Sequence, residues 1–236
     1  MKRVILMVVC LSAALVCRAQ TTVLKKVWAT STSGEGLQRV ETRVGKLVSQ
    51  LEKRHYRNDV RKLHALFTKT HNRFLHSYVQ YTGIDQLAKG RYDCLTATSL
   101  FADILTRSGF SYNIIETNYH IFIVVNTKDG DVVLETTDRL GGFVNDEKKK
   151  DGMIAEYKKN ILASATPSHH QYSFSLYQPV STDQLAGLLY FNQAVNAFNA
   201  GKWEECSEKL SAATLTTNSP RIADLTAMLR QQADNK

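Results

Sequence analysis

Cys94, His120 and Asp138 carry, in that order, the side-chain types of a nucleophilic catalyst. Cys94 opens a stretch with helical periodicity, where unpaired backbone N–H groups and the helix dipole stabilise a thiolate. It follows Gly90-Arg91-Tyr92-Asp93, a glycine-containing turn that can leave the sulfur accessible. His120 precedes the most apolar run of the chain, Ile121-Phe122-Ile123-Val124-Val125. An imidazole beside a run covered on both faces is costly unless something uses it. Asp138 follows the next strand-like run. A thiol, an imidazole acid/base and a carboxylate that fixes the imidazole tautomer together make a triad.

Glu135 is the competing carboxylate. If Lys128-Asp129-Gly130 is a three-residue loop, Thr127 opposes Asp131 and His120 opposes Asp138. Directly opposed side chains share a face. Glu135 then opposes Ile123 and points to the other face by the period-two rule. The expected partner of His120 is therefore Asp138. An oxyanion hole would use the backbone N–H of Cys94 and a second donor, for which Gln80, Gln86 and Tyr92 are candidates by type.

No cofactor or metal is expected. His55, His64, His71 and His76 are spaced so that no pair lies one helical turn apart, as a metal pair would need. His169-His170 are adjacent and do not converge on one ion. Gly141-Gly142 reads as a turn, since no phosphate-cradling pattern surrounds it.

Tyr92-Asp93-Cys94-Leu95-Thr96 opens a helix, Asn118-Tyr119-His120-Ile121-Phe122 opens a strand, and Glu135-Thr136-Thr137-Asp138 closes the next. In this order the three motifs resemble the transglutaminase-like branch of the papain-like cysteine peptidase superfamily. The resemblance covers residues 83–143 closely and the flanking helices loosely. It implies an α+β fold with the cysteine helix packed on an antiparallel sheet. It also implies amide-bond chemistry on a protein or peptide substrate, through an acyl-thioester resolved by water or an amine. Cys94 would be the nucleophile, His120 the acid/base and Asp138 the orienting group. Leu95 stands where many active members have Trp. Hydrolysis is favoured over amine transfer because water is always present. The alternative is a catalytically silent binding module that recruits a protein partner through its helical tail; a complete triad favours the enzyme.

These residues need elements to position them. Residues 20–36 lack periodicity and read as a loose lead-in. Val40, Val44, Leu47, Val48 and Leu51 mark one helical face. A second helix, capped by Asn58 or Asp59, carries Val60, Leu63, Leu66, Phe67, Phe74, Leu75 and Tyr78 and is closed by Gly83. The cysteine helix is expected over 94–107 with Gly109 as its stop. Strands are expected over 112–116, 119–126 and 131–135. A further helix over 153–161 precedes loop or irregular strand over 163–179. Ser181-Thr182-Asp183-Gln184 has capping-box spacing and opens an all-helical tail. In that tail Ala194, Phe198, Gly201, Trp203, Cys206, Leu210 and Ala213, with Pro220 after them, resemble one tetratricopeptide repeat plus its following helix.

The amino terminus reads as a secretory signal peptide: Lys2 and Arg3, an apolar run over 4–16, and small residues before a cleavage point after Ala19. The apolar run is too short for a membrane-spanning helix. Cleavage removes Cys10 and Cys17 and leaves Cys94 and Cys206, which is no disulfide framework. The expected organisation is a signal peptide at 1–19, a transglutaminase-like catalytic domain at 20–180 and a tetratricopeptide-repeat-like tail at 181–236. The protein would be exported and retain no membrane anchor. The 236-residue chain has 43 % hydrophobic and 22 % charged residues, which excludes a disordered chain and a multi-spanning membrane protein. Its net charge of +8, lowered further by cleavage, is too dilute to indicate nucleic acid. Lys148-Lys149-Lys150 reads as a solvated loop.

Overall fold

A computed structural model describes residues 23–31, 34–158 and 176–234. The expected signal peptide, His169-His170 and most of 163–179 lie outside these residues. The chain folds as α+β: helices α1 (Val23–Trp28), α2 (Leu37–Glu52) and α3 (Asp59–Phe74) precede the cysteine helix α4 (Cys94–Arg107). Strands β3 (Ser111–Thr117), β4 (Ile121–Asn126) and β5 (Val132–Leu134) follow, then β6 (Phe143–Val144), α5 (Glu147–Lys158) and β7 (Tyr177–Val180). Helices α6 (Gln184–Asn199), α7 (Trp203–Thr214) and α8 (Pro220–Asp234) end the described chain. Between α3 and α4, β1 (Ser77–Tyr78) and β2 (Arg91–Tyr92) form a short parallel pair around a 3₁₀ turn at Ile84–Lys89.

The main sheet is antiparallel, in the order β6-β5-β4-β3-β7. Ile121, Ile123 and Val125 face the main core with Val132 and Leu134, whereas Phe122 and Val133 join Ile115 under α5. Both faces of β4 are covered, as its uninterrupted apolar run requires. Helix α4 is buried on all sides from Leu95 to Leu105, and its Ala, Ser and Thr residues let helices and sheet approach closely.

Helix α2 buries the five apolar residues expected of it, and Asn58 caps α3 by accepting from the Arg61 amide at 3.0 Å. Three expectations are corrected. Helix α3 ends at Phe74, and the chain enters β1 rather than running on to Gly83. The lead-in contains α1, whose Val23, Leu24, Val27 and Trp28 are all buried. Six residues are too few for periodicity to register, so tertiary contacts hold this helix: its buried apolar residues, the Leu24 amide donating to Asp103 and Lys26 paired with Asp183. The Lys148-Lys149-Lys150 run lies on α5, and Lys150 is buried, its Nζ donating to Glu147 Oε1 at 2.8 Å and to the Asp131 carbonyl.

Ser181 and Gln184 exchange the two expected bonds, at 2.8 and 3.3 Å, but in the turn ahead of α6, whose N-cap is Asp183 without a side-chain cap bond. Helix α6 then spans two cores. Leu185, Leu188 and Leu189 belong to the main core, and Phe191, Ala194 and Ala197 pack with Cys206, Leu210 and Ala213 of α7 and Ile222 of α8. Cys206 is buried and Cys94 half-buried, and both thiols are free. Trp203 is only half-buried and meets Phe198 edge-on at 5.3 Å. Among the described residues no helix is long and apolar enough to cross a membrane.

Candidate functional site

Asp93 builds the nucleophile's position. It is the N-cap of α4, and its Oδ1 accepts from the Thr96 amide and hydroxyl, each at 2.8 Å, while the Thr96 hydroxyl accepts from the Asp93 amide. Its backbone carbonyl takes the Ala97 amide at 3.0 Å, and its side chain also accepts from the Leu95 amide. An α-helix begins with four orphan amides. Here the Asp93 amide goes to the Thr96 hydroxyl and those of Leu95 and Thr96 go to the Asp93 side chain, while the Ala97 bond is the first regular one of the helix, so the Cys94 N–H remains for the site. Thr136, just past β5, donates to the Cys94 carbonyl and shares a hydroxyl contact of 3.1 Å with Thr98, tying the start of α4 to the sheet.

His120 sits in the tight β3–β4 connection, where the Thr117 amide donates to the His120 carbonyl at 2.8 Å. Its Nε2 meets Glu135 Oε2 at 2.5 Å. Nδ1 is then the ring nitrogen left for Cys94, whose sulfur is near enough to favour the protonated ring. Burial opposes the imidazolium, but the bonds and charges of Cys94 and Glu135 outweigh it and raise the His120 pKa to about 10. Glu135 is satisfied on both oxygens. Oε1 accepts from the Thr137 amide and hydroxyl at 3.2 and 2.7 Å, and Oε2 also accepts from the Tyr157 hydroxyl at 3.1 Å. Burial pushes its pKa up, but His120 and Thr137 outweigh that and hold it below the usual carboxylate range. Tyr157 stacks on His120 and on Phe122, with ring centroids 6.0 and 4.9 Å apart.

Cys94 and His120 thus meet, as the sequence suggests, but the carboxylate on His120 is Glu135 and not Asp138. Asp138 is exposed, and its Oδ1 accepts from the amides of Leu140 and Gly141, both at 2.9 Å. It shapes the turn after β5. The cause is register. Ile123 pairs with Leu134 and Val125 with Val132. The turn therefore closes one residue earlier than a three-residue loop would, with the Gly130 amide donating to the Thr127 carbonyl at 3.2 Å. Continuing this register sets Glu135 opposite Phe122, on the face that His120 shares.

Gly142 completes the support. Its carbonyl accepts from the Glu135 amide at 2.8 Å and its amide donates to the Asp138 carbonyl at 3.0 Å. A Cβ there would lie 2.2 Å from the Glu135 carbonyl oxygen, so only glycine fits. The Gly141-Gly142 pair is more than a turn signal, and only the approach of a second backbone segment reveals it.

The parallel β1–β2 pair aligns Tyr78 with Tyr92 and brings Tyr78 and Tyr81 into the field of Cys94. Tyr78 as a whole is exposed, and partial burial of its phenol, followed by the charges of Cys94 and Asp93, raises its pKa. A cavity of about 860 Å³ is lined by Phe110, Tyr112 and Val180 at the opposite end of α4 and shares no residue with this cluster. Among the described residues no group of three or more His, Cys, Asp or Glu side chains could hold a metal ion. Comparison with known proteins finds no matching family model, no similar curated protein and no similar solved structure.

Proposed function

We propose that the protein is an exported, transglutaminase-like cysteine enzyme that cleaves, or transfers the acyl group of, an amide bond in a protein or peptide. Cys94, His120 and Glu135 form its triad. The observation that carries this reading is the His120 ring held between Glu135, at 2.5 Å from Nε2, and the thiol at the start of α4. Glu135 fixes the tautomer and stabilises the imidazolium, the role the sequence assigns to Asp138.

The sulfur of Cys94 attacks the amide carbonyl carbon and the C–O electron pair moves onto oxygen. The free Cys94 N–H donates to that oxyanion. The C–N bond breaks as His120 passes its proton to the leaving amine. Water then attacks the thioester, His120 takes its proton, and the acid leaves as Cys94 is restored. An amine in place of water gives transfer.

The test is labelling of the folded protein with a peptidyl vinyl sulfone, followed by a peptide-substrate screen. Labelling at Cys94 that is lost in C94S and in H120A supports the enzyme. Inert Cys94 in the folded protein would favour the silent binding module and overturn the proposal.

A further inference from the structure

Asp93 is 1 % exposed, and Thr96 occupies its Oδ1. Its Oδ2 reaches out of the catalytic core to the helical tail, where Asn192 Nδ2 of α6 donates to it at 3.0 Å. Asn192 is itself 7 % exposed, beside Phe191 and Leu189 on a helix face that otherwise buries apolar residues. A buried amide on such a face is costly unless its hydrogen bonds are made. One turn further on, Asn196 Nδ2 donates to the Tyr81 carbonyl at 2.7 Å. Tyr81, at φ 55, is the one non-glycine residue of positive φ among the described residues, a conformation that needs support from its surroundings. Helix α6 therefore holds both the residue that caps the cysteine helix and the loop that passes Cys94.

The far end of the tail grips the other half of the triad. Arg221 of α8 donates through Nη2 and Nε to Glu116 Oε1, at 2.5 and 2.9 Å, and the Ser219 hydroxyl joins them at 2.7 Å. Glu116 pairs with Ile121, at the root of the hairpin that carries His120. One three-helix unit is thus bonded to the nucleophile's cap and to the imidazole's hairpin.

Resting on the function proposed above, we infer that Asn192 is a positioning residue for Cys94, and that the helical tail is an integral part of the active site. Without the Asn192 bond, Asp93 Oδ2 is buried with one partner fewer, and the first turn of α4 loses the constraint that aims the sulfur at His120. Misplacing a reacting group by about 1 Å can cost on the order of a hundredfold in rate.

The experiment measures the rate of alkylation of Cys94 by iodoacetamide in the full chain as a function of pH, with buried Cys206 as internal reference and the urea-unfolded chain as baseline. N192L removes the donor at similar volume, N192D sets two carboxylates face to face, and the exchange D93N/N192D restores a donor–acceptor pair with the roles reversed. At equal folded content, N192L and N192D are expected to react at Cys94 at least about tenfold more slowly, with a displaced pH profile. The exchange should recover most of the loss, a rescue that mere packing would not produce. If N192D does not fold, N192A is read in its place. Parent-like rate and pH profile in folded N192L, or an exchange no better than the single variants, overturns the positioning role alone. A parent Cys94 no faster than the unfolded chain overturns the enzymatic reading beneath it.

Discussion

Replacing Glu135 by Gln should silence the site far more than replacing Asp138 by Asn. The raised His120 pKa, about 10 against an ordinary 6.5, corresponds to on the order of 5 kcal/mol in favour of the imidazolium. Burial works against that charge, so the whole preference comes from Cys94 and Glu135. The His120 and Glu135 side chains are 20 % and 14 % exposed, which limits solvent screening. E135Q leaves an amide able to accept from Thr137 or Tyr157, but without charge. It also presents a donor to an imidazole that needs an acceptor. Loss of such a tautomer-fixing carboxylate costs roughly a thousandfold or more in turnover. D138N retains an oxygen for the Leu140 and Gly141 amides and should keep activity within about threefold, since Asn is as competent as Asp in such turns. The assay is the rate of Cys94 modification by the peptidyl probe, and turnover of whichever peptide the screen identifies. Stability against pH provides a second readout. Because the folded pKa of His120 is raised, its stabilisation is complete below about 6.5 and is lost as pH rises through about 10. That decline should flatten in E135Q and persist in D138N. A larger defect in D138N than in E135Q, at equal folded content, would refute both the register and the triad built on it.

His71 is 1 % exposed between Phe67 and Phe101, with no hydrogen-bond partner on either ring nitrogen, and burial with the Arg139 charge lowers its pKa to about 4. Its neutral form is favoured on folding, so stability should fall as pH drops from 6.5 towards 4, by up to about 3 kcal/mol. Urea titrations of H71L should lack that part of the slope, and an unchanged slope would show that another group causes it. G142A places a Cβ 2.2 Å from the Glu135 carbonyl oxygen and should lower stability by about 1–3 kcal/mol and reduce Cys94 labelling; a parent-like melting curve would count against the support role. Trp203 is half-buried, so W203A should cost about 2 kcal/mol, below the 3–5 typical of a fully buried aromatic, and a melting temperature equal to the parent's would show that the α6–α7 contact carries no stability. Mass spectrometry of exported material should find Gln20, or its pyroglutamate form, at the amino terminus; an intact Met1 would contradict processing after Ala19.

Local patterns were enough to place Cys94 at the start of a helix and His120 just ahead of a doubly covered strand, which begins at Ile121 rather than at the expected Tyr119, because helix periodicity and an uninterrupted apolar run are properties of a few adjacent residues. The same holds for the cap at Asn58 and the turn at Ser181, where donor and acceptor lie three residues apart. The partner of His120 lay beyond that reach. It depends on where the turn after Asn126 closes, and a shift of one residue there exchanges Asp138 for Glu135. Side-chain faces alternate with every residue, so no pattern within either strand can supply a register that only the turn and the sheet's two packed faces select. Helix α1 and Gly142 were hidden for a related reason: each is defined by what packs against it from far along the chain. The hydrogen bond from Asn192 to Asp93 joins residues on α6 and at the cap of α4, and only the docking of the helical tail brings that amide and that buried carboxylate within 3.0 Å of each other.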